Sequence, residues 1–200
     1  EAVRWYQLAA NQGNAWGQYN LARMYANGKG INEDDQEAVK WYRLSADKGN
    51  SWSLNALGNM YYRGEGVEKN FQEAIKWYRL SAEKKYHWGQ YNMGNMYDNG
   101  KGVVEDNAEA VKWYQLAANR GNSKAQYRLG LKYKGGSGVK QSDIYAYMWI
   151  NISSTKGYKK ASKALDKLSL TMTASELLKA KQLADTCKKS KYKNCTLENY

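Results

Sequence analysis

Proline is missing altogether from the 200 residues, and phenylalanine and histidine occur once each, as Phe71 and His87. Without proline, no helix is interrupted by a ring that clashes with the preceding turn and removes a backbone donor. Corners therefore fall to the 18 glycines and to asparagine. One histidine and two cysteines furnish no nucleophile, base and orienting partner for serine or thiol hydrolase chemistry. No apolar run is long enough to span a bilayer, and no secretory leader is visible. The chain starts at Glu1-Ala2-Val3-Arg4-Trp5-Tyr6, in the middle of a pattern, so a segment upstream is expected to be missing and the compartment stays open on this count.

Other residue types are abundant: eighteen tyrosines and eight tryptophans. Each can bury a ring while its polar edge keeps a partner. Five tryptophans, Trp5, Trp41, Trp77, Trp113 and Trp149, recur at intervals of 36 residues. Self-similarity at this period is the mark of stacked helical units that bury their apolar faces against one another.

The copies align closely. Glu37-Ala38-Val39-Lys40-Trp41-Tyr42-Arg43-Leu44-Ser45-Ala46 returns as Glu73-Ala74-Ile75-Lys76-Trp77-Tyr78-Arg79-Leu80-Ser81-Ala82. Ala38, Trp41 and Ser45 share a helical face, with Val39, Tyr42 and Ala46 beside them. Each copy has an earlier half too, such as Leu57-Gly58-Asn59-Met60-Tyr61 followed by Gly64-Glu65-Gly66-Val67. Gly58, Gly94 and Gly130 fall inside helices, where glycine costs about 1 kcal/mol against alanine. They are expected to let two helix backbones approach. In each connection the first glycine is expected to end its helix in the left-handed conformation. Ile31, Val67, Val103 and Val139 then plug the corner into the core. Gly13, Gly49 and Gly121 end the second helices, but the third unit reads Lys85-Tyr86-His87. Its turn is expected to differ locally. The last second-half helix is expected to begin near Asp143, as its N-cap.

These units closely resemble the Sel1-like repeat family, relatives of the tetratricopeptide repeats. Leu57-Gly58, Gly64-Glu65-Gly66-Val67 and Trp77-Tyr78 bear the likeness, which runs over residues 1–157. The resemblance implies an all-α fold, an alpha/alpha superhelix of antiparallel helix pairs with a C-terminal capping helix. The chain is expected to form a single domain over 1–200, repeats to 157 and cap and tail over 158–200. Ala146-Tyr147-Met148-Trp149 resembles the closing helix of such arrays, and residues 168–184 resemble the capping helix after it. Family members serve as protein-binding adaptors, regulators of signalling or secretion, and immunity proteins against secreted bacterial toxins.

Cys187 and Cys195 are the only cysteines. Pairing and compartment rules favour a disulfide between them over two free thiols in a cytosolic tail. The Cys-plus-Tyr-plus-Cys ending also resembles exported members of the family, which implies the periplasm or secretion. A zinc site has poor support, because His87 lies more than two repeats away.

Net charge is +12, and residues 156–193 hold eleven lysines against three acids, a net of +8. Two readings of this basic cap stand side by side: a solvated end, and a contact for acidic partners or an anionic membrane surface. Nucleic acid is not expected, since arginine is absent there and no reading helix is recognisable. Acids gather at second-helix starts, as in Glu33-Asp34-Asp35 and Glu105-Asp106, where they complement the helix dipole. Gly28-Lys29-Gly30 and Gly135-Gly136-Ser137-Gly138 lack the phosphate-loop spacing. No catalytic residue, metal or cofactor is expected.

The candidate binding residues lie on first helices, on the expected inner side of the stack. They are Trp16, Asn20, Arg23, Trp52, Asn55, Asn59, His87, Trp88, Asn92 and Asn95, with Lys124 where the tryptophan column stops. Large aromatics are the usual anchors of binding hot spots. Against this, the tryptophans would equally serve as packing between units and the asparagines as partners of helix backbones. The expected function is a non-enzymatic, extracytoplasmic protein-binding solenoid. Its finer form is an immunity protein neutralising a secreted toxin, such as a lipase delivered by a type VI-like system. An envelope adaptor is the alternative, and a cell-wall hydrolase a distant one.

Overall fold

A computed structural model describes residues 1–193 and residue 195. Its architecture is an all-α solenoid of antiparallel helix pairs. The helices among the described residues are α1 (Ala2–Asn11), α2 (Ala15–Asn27), α3 (Asp35–Asp47), α4 (Ser51–Arg63), α5 (Phe71–Glu83), α6 (His87–Asp98), α7 (Asn107–Asn119), α8 (Ser123–Gly135), α9 (Asp143–Thr155), α10 (Lys159–Ser169) and α11 (Ala174–Lys189). They fall into two compact units. Unit 1 comprises Glu1–Gly89 with Lys101–Val103, and unit 2 comprises Gln90–Gly100 with Val104 onward.

α1 and α10 have no side-chain cap, but α2, α3, α4, α5, α7, α8, α9 and α11 each start where a short polar side chain replaces a missing backbone partner. Asn14, Asn50 and Asn122 cap the first helices α2, α4 and α8, and Asp34, Asn70 and Asp106 cap the second helices α3, α5 and α7. Each such cap stabilises by about 1 kcal/mol. The start of α9 differs by one residue from expectation: Ser142 is the cap and Asp143 the first helical residue. Lys40, Lys76 and Lys112 pair with Glu37, Glu73 and Glu109 three residues earlier. These exposed pairs add little.

Unit 1 has its core at Leu21, Ala22, Ala38, Val39, Tyr42, Leu54, Leu57 and Met60. Along α3 and α5 the deep residues are Tyr42 and Tyr78, whereas Trp41 and Trp77 are only partly buried. In unit 1 the tryptophans that mark the period are thus not the innermost residues. Ser45 Oγ of α3 donates to Ala15 O of α2 at 2.6 Å, and Ser81 Oγ of α5 to Ser51 O of α4 at 2.8 Å. Each bond lets a buried hydroxyl donate to a first-turn carbonyl of the preceding helix, worth about 1 kcal/mol net.

Unit 2 repeats this arrangement, with Ser153 Oγ of α9 donating to Ser123 O of α8 at 2.7 Å. Its core adds a deeper layer: Trp149, Ile150 and Ile152 of α9 are fully buried, and α9 packs on α8, α10 and α11. The expected single capping helix over 168–184 is instead a pair. Lys159 stands 36 residues after Ser123, so α10 takes a first-helix place. Thr173 and Glu176 then form a reciprocal capping box that starts α11 afresh. The carboxylate of Glu176 is held below its usual range, first by the Thr173 backbone N–H and then by its hydroxyl. Cys187 and Cys195 are joined by a disulfide, with Cα atoms 5.2 Å apart. Residue 194 and residues 196–200 of the tail lie outside the described residues.

Of the three helix-interior glycines, Gly58 and Gly94 seat a side chain rather than a backbone, whereas Gly130 lies close to the backbone of α9, as expected. A Cβ at Gly58 would lie 2.4 Å from the Tyr78 ring, and one at Gly94 2.6 Å from the Tyr114 ring. At Gly130 the neighbours are Ile150 Cγ1 at 2.5 Å and the Ala146 carbonyl. Of the two local differences expected at the Lys85 turn, in geometry or in solvent face, the backbone geometry is unchanged and the face differs, with Tyr86 where the other turns hold a capping asparagine. Lys85 adopts φ +61, close to the +78 of Gly49 at the same register.

Candidate binding face

In unit 1 the Asn caps fix the starts of α2 and α4, so Trp16 and Trp52 occupy matching places in their first turns. Their ring centroids are 5.9 Å apart, and both lie within 6 Å of the buried Tyr19. Trp52 continues to Tyr86 at 5.0 Å, Tyr86 to His87 at 5.2 Å, and His87 to Trp88 at 5.5 Å. Trp16 is 52% exposed and Trp52 42%. Tyr86, His87 and Trp88 are partly buried. The result is one row of neighbouring rings that is open to solvent at Trp16 and Trp52. Arg23 lies 5.6 Å from the Tyr19 ring centroid, a cation–π distance. Burial, and then the neighbouring Tyr19, push the Tyr86 phenol above its ordinary value.

Tyr86 was not among the sequence candidates, yet it joins the two halves of the row. The signal lay in its register, for it stands where Asn14, Asn50 and Asn122 cap the other first helices. Asn20 and Asn55 are partly buried. Asn59 turns inward, its Oδ1 accepting from Tyr78 Oη at 2.8 Å. A second exposed row in unit 1, Leu8, Leu44 and Leu80 on the second helices, has no aromatic member.

Unit 2 fills the same register positions differently. Lys124 is exposed where the other copies hold tryptophan, and Asn92 is partly buried. Asn95 faces inward, like Asn59, and accepts from Tyr114 Oη at 2.8 Å. Tyr114 also lies 2.9 Å from Asp98 Oδ2. Burial first, and then the Asp98 carboxylate, keep this phenol protonated far above its ordinary range. Asp98 pairs with Lys132, and Lys132 Nζ donates to Asn107 Oδ1 at 2.5 Å. The sequence reading singled out neither partner of this nearly buried ion pair. Among the described residues, no group of three or more His, Cys, Asp or Glu is placed to hold a metal. None of the described helices is long and apolar enough to cross a membrane.

The Sel1 repeat profile matches residues 1–14, 17–50, 53–86, 89–122 and 123–158, and the chain belongs to the Sel1 repeat family. Two solved structures support this. One, a protective antigen present in uropathogenic Escherichia coli strains displaying an SLR fold, is 32% identical with a TM-score of 0.88, over 96% of this chain and 42% of that one. The other, a Sel1 repeat protein from Oxalobacter formigenes, is 36% identical with a TM-score of 0.77, over 82% of this chain and 65% of that one. The chain thus spans less than two thirds of the length of either relative. No curated protein matches it.

Proposed function

We propose that unit 1 captures another protein through the row Trp16, Trp52, Tyr86, His87 and Trp88, in the periplasm or outside the cell. The observation behind this is the continuous ring contact, with two indoles about half exposed. Rings already packed against each other lose little side-chain freedom on binding, and their apolar area is large. Asn20, Arg23 and Asn55 supply polar contacts at the margin. The disulfide and basic cap suit an extracytoplasmic setting. The finer reading is an immunity protein that neutralises a secreted toxin, and an envelope adaptor is the second.

The test is capture from the native envelope fraction, with the recovered partner then titrated against variants. Trp16→Ala with Trp52→Ala should weaken binding by about a hundredfold or more, as expected for two anchor residues. Leu44→Ala, on the other exposed row, should leave it unchanged. Equal loss from both variants, or none from the tryptophan pair, would refute the assignment. A captured toxin whose activity falls on binding supports immunity, and a captured envelope component supports the adaptor.

A further inference from the structure

The corner glycines have a second task. The next pair's glycine presses on the start of each second helix. A Cβ at Gly66 would lie 2.3 Å from Asp35 O, one at Gly102 2.8 Å from Phe71 Cβ, and one at Gly138 2.2 Å from Asn107 O. Asp35, Phe71 and Asn107 are the first residues of α3, α5 and α7. The start of α9 has no such cover. The connection from α10 to α11 is only Leu170–Thr173 and contains no glycine. Here a cavity of about 630 Å³ opens between α9 and α11. Its volume falls in the range of small-molecule sites.

Around this uncovered corner the sequence departs from its own repeat. Gln36, Gln72 and Ala108 are succeeded by Ile144, and the glutamates Glu37, Glu73 and Glu109 by Tyr145. The acids before the earlier second helices give way to Lys140-Gln141-Ser142. Ile144, Tyr145 and Leu183 are the apolar members of the cavity lining, Lys140 and Lys179 its two cations, and no acidic residue lines it. Asp143 is adjacent, but its Oδ1 is buried away from the cavity surface without a hydrogen-bond partner. The acids of α11 are already engaged, Glu176 with Thr173 and Asp185 with Lys188.

From the uncovered helix start, the loss of acids and the gain of apolar side chains, we propose that this cavity binds a single-chain anionic amphiphile, a fatty carboxylate. Lys140 and Lys179 take the carboxylate, while Ile144, Tyr145 and Leu183 take the first part of the chain. The charge-assisted contacts set the head, and apolar burial adds affinity with each methylene.

Calorimetric titration of the full chain with dodecanoate below its micelle concentration tests this. Saturable one-to-one binding in the micromolar range is expected. Lys140→Gln with Lys179→Gln should weaken it at least about tenfold. Ile144→Gln, which restores the residue of the earlier repeats, should weaken it severalfold with the fold intact by circular dichroism. Dodecanol binding as tightly as dodecanoate would overturn the proposal, as would inorganic phosphate displacing it at similar concentrations. So would variants that bind like the parent. Association with anionic vesicles but no binding of monomeric dodecanoate would overturn it too, leaving a basic surface and no cavity site.

Discussion

Unit 2 places Lys132 two repeats after the Met60 of unit 1, and Asp98 one repeat after its Tyr62. Met60 is buried in an apolar core, and Tyr62 sits beneath the Lys101 ammonium at 4.8 Å. Lys132 and Asp98 form an ion pair whose side chains are each 13% exposed, and Tyr114 and Asn107 satisfy their remaining capacity. The helical frame is the same in both units. It accepts an apolar solution or an ionic one, provided the ionic partners arrive together. The surfaces diverge similarly: tryptophans project from the first helices of unit 1, and Lys124 takes their place in unit 2.

The largest test of this contrast removes half of the pair. Lys132→Met alone leaves the Asp98 carboxylate nearly buried without its cation, and should cost about 3 kcal/mol in urea unfolding. The double variant Lys132→Met with Asp98→Tyr, which transplants the unit 1 residues, should recover most of that loss. If the single variant unfolds at the parent's midpoint, the pair is not what replaced the apolar contact.

A smaller effect is expected at the ring seats the units share. Gly58→Ala and Gly94→Ala each drive a methyl into a tyrosine ring, costing about 1–3 kcal/mol, against about 1 kcal/mol gained in helix propensity. Net losses of about 1–2 kcal/mol should appear in both, because Tyr78 and Tyr114 must leave their bonds to Asn59 and Asn95. The first copy shows the alternative in place. Ala22 stands at this register with Arg23 after it rather than asparagine. A gain in stability in either variant would show that the rings move freely and that the seat is not strained by a methyl.

The smallest expected change is a stabilisation. Lys85→Gly restores the residue the other turns use at positive φ, and should raise stability by up to about 1 kcal/mol. The ring contacts of Tyr86 should persist, so partner binding by unit 1 should not change. A weaker partner would show that Lys85 itself belongs to the face.

The helices, their pairing and the glycine corners were legible because each rests on neighbours a few residues away. Asn14, Asn50 and Asn122 follow a glycine in every regular turn, and Thr173 precedes Glu176 at capping-box spacing. Other features were not legible. The capping segment read as one helix, since only docking on α9 shows α10 and α11 as a separate pair. Tyr86 read as an irregular turn residue, since its ring partner Trp52 lies a full repeat earlier. Asn59 and Asn95 read as surface donors, although their acceptors are taken by tyrosines from the following helices.

The 36-residue spacing by itself determined that this is a repeating helical protein, because caps, corners and apolar periodicity act within a turn or two of chain. It did not determine depth. Trp41 and Trp149 share one register, yet Trp41 is only partly buried and Trp149 fully buried. Tertiary structure alone decided that, along with the aromatic row of unit 1 and the open corner of α9. Burial and access are set by whatever packs against a residue from a repeat away, and identical local sequences meet different neighbours.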